Sequence, residues 1–135
     1  MKRIVSISLA ALLCLLGFAG CAQQENNMEN TYQQITAQEA KDIMDSGKEH
    51  LIIDARTEEE FAAGHIANAI LIPEYEIADR AETELPDKDA LILVYCRSGR
   101  RSKIASEELV KLGYSNVKEF GGIIDWPYEI TIEEG

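Results

Sequence analysis

One cysteine of this chain sits where a thiol can react. The stretch Tyr95–Cys96–Arg97–Ser98–Gly99–Arg100–Arg101–Ser102 follows a continuous apolar run, Leu91–Tyr95, and leads into a helical pattern. A sulfur at the carboxyl end of a strand and the head of a helix meets free backbone amides and the positive end of the helix dipole. Arg97, Arg100 and Arg101 add three cations. Together these features favour the thiolate, which is the nucleophilic form of cysteine. Gly99 lets the loop curl so that successive N–H groups point inward as an anion-binding nest. The same residues also admit a plainer reading, in which the arginines are solvated and Cys96 is a small apolar strand end.

The chain has three cysteines, and the first two belong to a different story. Lys2 and Arg3 open the sequence, Ile4–Phe18 is apolar apart from Ser6, Ser8 and Gly17, and Ala19 and Gly20 precede Cys21. Charge, apolar core and small residues in that order predict a secretion signal over residues 1–20, too short for a comfortable membrane span. Phe18–Ala19–Gly20–Cys21 resembles a bacterial lipobox, in which cleavage falls before the cysteine and its thiol takes a lipid. Phe18 stands where that signal usually has Leu. The expectation is a chain exported and lipid-anchored through Cys21 to a bacterial membrane, on its periplasmic or extracellular face. Cys14 leaves with the signal and Cys21 is consumed by lipid, so Cys96 is the one thiol left and no intrachain disulfide can form.

The elements that must position this thiol follow from patterning. Residues 21–31, rich in Gln, Asn and Glu, read as the anchor cysteine and a flexible tether, and residues 32–135 as one domain. Thr36 with Glu39 forms a capping box ahead of a helix that ends near Gly47. Leu51–Ile53 predicts a strand ending at Asp54. Thr57 with Glu60 repeats the capping spacing before a short helix to Ala62 or Ala63, and Gly64 turns the chain. Ala69–Ile72 is a strand stopped by Pro73, and Glu74–Thr83 a weakly patterned helix. Leu91–Tyr95 suits a parallel strand buried on both faces. Ser102–Leu112 is a helix capped by Gly113, and Val117–Phe120 a last strand before a turn carrying Trp126. Alternating strands and helices imply an α/β fold: an open, mainly parallel sheet of about five strands with helices on both faces.

The active loop resembles that of the rhodanese family. Ile53–Asp54–Ala55–Arg56 with Glu59, Glu60 and Phe61 is similar to that family's strand exit. Gly64–His65–Ile66, Ala69 and Ile72–Pro73 resemble its Gly-His-Ile…Ala…Ile-Pro signature, and Gly121, Gly122 and Trp126 its terminal Gly-Gly-x-x-x-Trp. The likeness runs from about Tyr32 to Tyr128. Asn68 departs from the usual glycine, a change a left-handed Asn tolerates. The resemblance implies a rhodanese-like domain and a sulfurtransferase that moves sulfane sulfur through a Cys96 persulfide. It implies that Arg97, Ser98, Gly99, Arg100 and Arg101 bind the substrate, with Asp54 and Arg56 in support. The donor would be thiosulfate or a persulfide, and the acceptor cyanide, a small thiol or a protein thiol. Cys96 to Arg101 is Cys-x4-Arg, as in the sulfurtransferases. Related phosphatases and arsenate reductases carry Cys-x5-Arg, and they stand as the alternative, beside a non-catalytic envelope binding module. Arg101 is expected to brace the loop through a carboxylate, Asp54 or a glutamate, while His65 is expected to be structural and Trp126 a core lid.

Composition narrows the remaining classes. The formal net charge is −11, and the signal contributes only bases, so the remainder is more acidic still. Phosphate contacts need clustered Lys and Arg, which excludes nucleic acid as the expected partner. Cys96, His50 and His65 lack metal-ligand spacing, so no metal is expected; no cofactor is expected either, and the domain is expected to be a monomer.

Overall fold

The computed structural model describes residues 31–133. The signal, Cys21 and nearly all of the tether lie outside the described residues. Five strands form one parallel sheet: β1 (Gln33–Gln34), β2 (Leu51–Asp54), β3 (Ile70–Leu71), β4 (Ile92–Cys96) and β5 (Val117–Gly122), in the order β1-β5-β4-β2-β3. Between them run α1 (Ala37–Asp45), α2 (Glu58–Ala62), α3 (Ile77–Glu84) and α4 (Arg100–Lys111). Among the described residues, no helix is long and apolar enough to cross a membrane.

The sheet is buried on both faces because β4 is apolar along its whole length and β2 and β5 send apolar residues to either side. Ile53, Ile92, Val94, Cys96 and Val117 pack with Ile77 and Ala81 of α3, Leu85 just after it, and Ala105 and Leu109 of α4. Ile52, Leu93, Tyr95 and Phe120 face the other way, onto Ala40 of α1, Ile66 and Trp126. This alternation puts helices on both faces, as a parallel sheet requires. Trp126 lies 5.4 Å, ring to ring, from Phe120 and 4.9 Å from Tyr128, so it closes the α1 face as a lid on the core.

Several boundaries differ from the sequence expectation for local reasons. The helix expected over Glu74–Thr83 divides into a 3-10 turn at Glu74–Glu76, directly after Pro73, and α3 proper. The strand expected over Ala69–Ile72 pairs with β2 only at Ile70 and Leu71. α4 begins at Arg100 rather than Ser102, because Gly99 takes a left-handed φ of 103° and turns the chain straight into the helix. β1 has no sequence signature: it is two exposed glutamines on the sheet edge, paired with Lys118 and Glu119. The capping box at Thr36 is complete, with both reciprocal bonds formed. Asn68 has a φ of 66°, the left-handed geometry that accommodates Asn in place of glycine.

Candidate active site

Cys96 is the last residue of β4 and is 1% exposed. Its Sγ accepts a hydrogen bond from the Gly99 amide at 3.0 Å, and its thiol donates to Ser102 Oγ at 3.3 Å. The sulfur therefore sits under the first turn of α4, held by one donor amide and one hydroxyl. The loop above it is pressed onto the end of β5. Two steps along β4, Val94 to Cys96, match three along β5, Glu119 to Gly122, so one residue of β5 bulges at that point. The Ile124 amide donates to the Arg97 carbonyl at 3.2 Å. A Cβ on Gly122 would lie 2.0 Å from that same carbonyl oxygen, so only glycine fits where loop and strand meet.

The loop residues divide by environment. Arg97, Ser98 and Arg100 are exposed and Gly99 is buried. Neither Arg97 nor Arg100 takes part in the ion pairs formed among the described residues, so both are available at the mouth. Arg101 is committed elsewhere. Its guanidinium donates twice to the Glu60 carboxylate, at 2.7 and 2.9 Å. The carboxylate expected to brace Arg101 is thus Glu60 and not Asp54. That hydrogen-bonded cation holds the Glu60 carboxyl down at about 2. The hydrogen bond that Arg101 donates to Glu60 is also the main cause that raises its guanidinium above the ordinary value, and Cys96 adds to it electrostatically. Thr57 Oγ1 accepts the Glu60 amide at 3.3 Å and donates to Glu60 Oε1 at 3.2 Å, the same carboxylate that accepts from Arg101.

Asp54 and Arg56 form a buried fork. Arg56 donates to both Asp54 oxygens, at 2.7 Å in the closest contact, and to the Gly64 carbonyl at 2.7 Å. The Tyr95 hydroxyl donates to Asp54 Oδ2 at 2.6 Å and accepts the Ile66 amide at 3.1 Å. Burial, and then the Asp54 charge, push the Tyr95 phenol well above its ordinary range. This network ties the exit of β2 and the Gly64–Ile66 turn to the residue just before Cys96, on the opposite face of the sheet from the sulfur. His65 is buried, stacked on Phe61 at 3.7 Å between ring centroids. Its Nδ1 lies 2.9 Å from the Phe61 carbonyl, and its backbone exchanges hydrogen bonds with Thr131. Its partners are structural, and Cys96 is not among them.

One residue near the sulfur has no counterpart in the sequence reading. Glu119, on β5, is 3% exposed, and its Oε1 accepts the Ser102 hydroxyl at 2.6 Å and the Gly121 amide at 2.8 Å. The signal that marks it is positional: in a strand of period two, Glu119 shares the face of Val117, which belongs to the core. A cleft lined by Lys41, Met44, Trp126 and Tyr128 opens on the α1 face and includes no residue of the Cys96 loop. No group of side chains among the described residues is arranged to hold a metal ion.

Comparison with known proteins agrees with this geometry. A family model described as Rhodanese-like domain matches residues 36–127. Thiosulfate sulfurtransferase PspE of Escherichia coli is 41% identical over 73 residues, covering 54% of this chain and 70% of that protein. Adenylyltransferase and sulfurtransferase UBA4 of Candida albicans is 34% identical over 104 residues, 72% of this chain; the chain spans only 24% of that longer protein. Among solved structures, a rhodanese-like domain protein from Staphylococcus aureus is 34% identical with a TM-score of 0.66, covering 76% of this chain and 99% of that one.

Proposed function

The chain belongs to the rhodanese-like domain family, and on that footing we propose that it is a sulfurtransferase that stores sulfane sulfur as a persulfide on Cys96. The observation that carries this reading is the Cys96 sulfur held by the Gly99 amide at 3.0 Å, beneath the first turn of α4 and beside two uncommitted arginines. In the first half-reaction the Cys96 thiolate attacks the outer sulfur of thiosulfate or of a persulfide. A new S–S bond forms at Sγ, the donor's S–S bond breaks, and sulfite or a thiolate leaves with the electron pair. Arg97, Arg100 and the loop amides stabilise the charge of the donor and of the leaving anion. In the second half-reaction cyanide, a small thiol or a protein thiol attacks the outer persulfide sulfur and releases the Cys96 thiolate. Ser98 and Gly99 shape the ring of amides. Arg101 braces that ring through Glu60, and Asp54 with Arg56 holds the strand that delivers the cysteine.

The proposal extends to where the protein works. Residues 1–20 would act as a lipoprotein signal, Cys21 would carry the lipid, and residues 22–31 would tether the rhodanese-like domain to the periplasmic or extracellular face of a bacterial membrane. The mass of the intact purified domain after exposure to thiosulfate tests the chemistry. A gain of one sulfur atom, removed by cyanide, is expected; an unchanged mass would overturn the reading.

A further inference from the structure

Ser102 has a single hydroxyl hydrogen, and two groups compete for it. The Glu119 carboxylate oxygen lies 2.6 Å away, and the Cys96 sulfur lies 3.3 Å away on the other side. The Gly99 carbonyl, at 3.0 Å, and the Gly121 carbonyl, at 3.4 Å, are longer and uncharged alternatives. The short bond to a charged acceptor is the strong one, so with Cys96 as a thiol the hydrogen points at Glu119 and the Ser102 lone pair faces the S–H. That arrangement is opposed to a thiolate, because it turns an oxygen lone pair toward the sulfur. An anion at Sγ gains a second donor beside the Gly99 amide only when the Ser102 hydrogen turns to it, and Glu119 then keeps only the Gly121 amide as donor. Glu119 has no cation to compensate for that loss: it belongs to none of the ion pairs among the described residues. The titratable groups placed near it are Cys96 from β4, across Ser102, and Tyr32 ahead of β1. Glu107 and Glu119 both help to raise the Tyr32 phenol, after burial.

We propose that Glu119 is a positioning residue that takes the Cys96 proton through Ser102 when the sulfur becomes a nucleophile, so that the pair shares one proton. This rests on Cys96 being the sulfur carrier. The step balances internally. The Cys96 S–H bond breaks as a new O–H bond forms at Ser102, and the original Ser102 O–H breaks as one forms at Glu119 Oε1. Net, one proton moves from sulfur to carboxylate, no electrons change hands, and the proton returns when the persulfide has been discharged. Ser102 lies at the position where a Cys-x5-Arg loop would carry its arginine, so the short loop is what places a hydroxyl beside the sulfur.

The test is the rate at which a small neutral alkylating reagent modifies Cys96 as pH is varied, read by mass of the Cys96 peptide. This readout needs no sulfur transfer, so it remains valid if thiosulfate leaves the mass unchanged. Two groups sharing a proton titrate as a pair, so the wild-type profile is expected to rise in two steps with a plateau between them. E119Q keeps an oxygen that accepts from both Ser102 and Gly121, so it preserves the packing and removes only the proton acceptor. S102A keeps the carboxylate and cuts the path. Each is expected to lose the lower step, with a fall of about tenfold on the plateau, and the double variant is expected to be no slower than either single one. A single-step wild-type profile overturns the proposal without any variant. So does an E119Q profile that superimposes on wild type, or an S102A variant that keeps the lower step.

Discussion

At the scale of single residues, the proposed mechanism assigns sulfur chemistry and anion binding to different side chains, so the two are expected to separate in kinetics. Cys96→Ser is expected to abolish sulfur transfer, because a hydroxyl cannot hold sulfane sulfur as a persulfide. Arg97 and Arg100 are exposed at the mouth and take part in none of the ion pairs among the described residues, so replacing either with Ala is expected to raise the apparent KM for thiosulfate about fivefold, equivalent to roughly 1 kcal/mol for one charge-assisted contact. kcat should change little. Steady-state kinetics with thiosulfate and cyanide on the three variants checks both statements. A Cys96→Ser enzyme that keeps its rate removes the persulfide mechanism, whereas flat arginine variants remove only the account of anion binding. Cys96 and its arginines are legible in the sequence because a thiol between a buried strand and a helix has few other reasons to be flanked by cations. Glu119 was not legible. A lone acid in a strand reads as solvated until the opposite wall of the core, here Ser102, is known.

Elements enter through two joints that hold the loop. The first is the pair between Arg101 at the head of α4 and Glu60 in α2, with side chains 22% and 28% exposed. Its bidentate geometry and partial burial make it worth about 1–2 kcal/mol after allowance for solvent screening. The Glu60 carboxyl is lowered from 4.5 to about 2. A carboxyl depressed on folding adds stability that is complete above its unfolded value and is lost as pH falls through the folded one. Urea unfolding of the wild-type domain should therefore show this contribution fading between about pH 4.5 and pH 2, and R101A should lose most of it in that window, keeping only the part that Thr57 supplies. An R101A variant with the same pH slope would remove Glu60 as the source. The second joint is Gly122 against the Arg97 carbonyl. G122A places a Cβ 2.0 Å from that oxygen, so the loop or β5 must shift. A loss of about 3 kcal/mol is expected from such overpacking, together with most of the activity, because the displaced segment carries Cys96. Wild-type stability in G122A would mean that the loop yields freely. The sequence foretold β2, β4, β5, α1 and α4 because their apolar residues repeat with the period of the element. It missed β1, whose two exposed glutamines bury nothing and are held only by backbone pairing along the edge of β5. It also merged the 3-10 turn with α3, since both present the same acidic surface and differ only in the backbone constraint that Pro73 imposes.

For the whole molecule, the question is how an acidic domain would stay at a membrane. The chain carries a net charge of −11, and bacterial lipid surfaces are themselves anionic, so electrostatics drives the domain away from the bilayer rather than toward it. A polybasic patch, the usual partner of a single weak anchor, is not available to such a composition. On the proposed reading, retention would come from covalent lipid, and the residue that would take it is Cys21, immediately after Ala19 and Gly20. The prediction follows from the full chain: C21A is expected to appear as an unprocessed precursor or in the soluble fraction, while wild type sediments with membranes and is released by detergent but not by high salt. The salt arm matters because screening weakens an electrostatic attachment and leaves a lipid anchor untouched. If C21A is still processed and still sediments with membranes, Cys21 is not the anchor. The acidic domain would then need a partner on the membrane surface, and the tether would have no membrane end to serve.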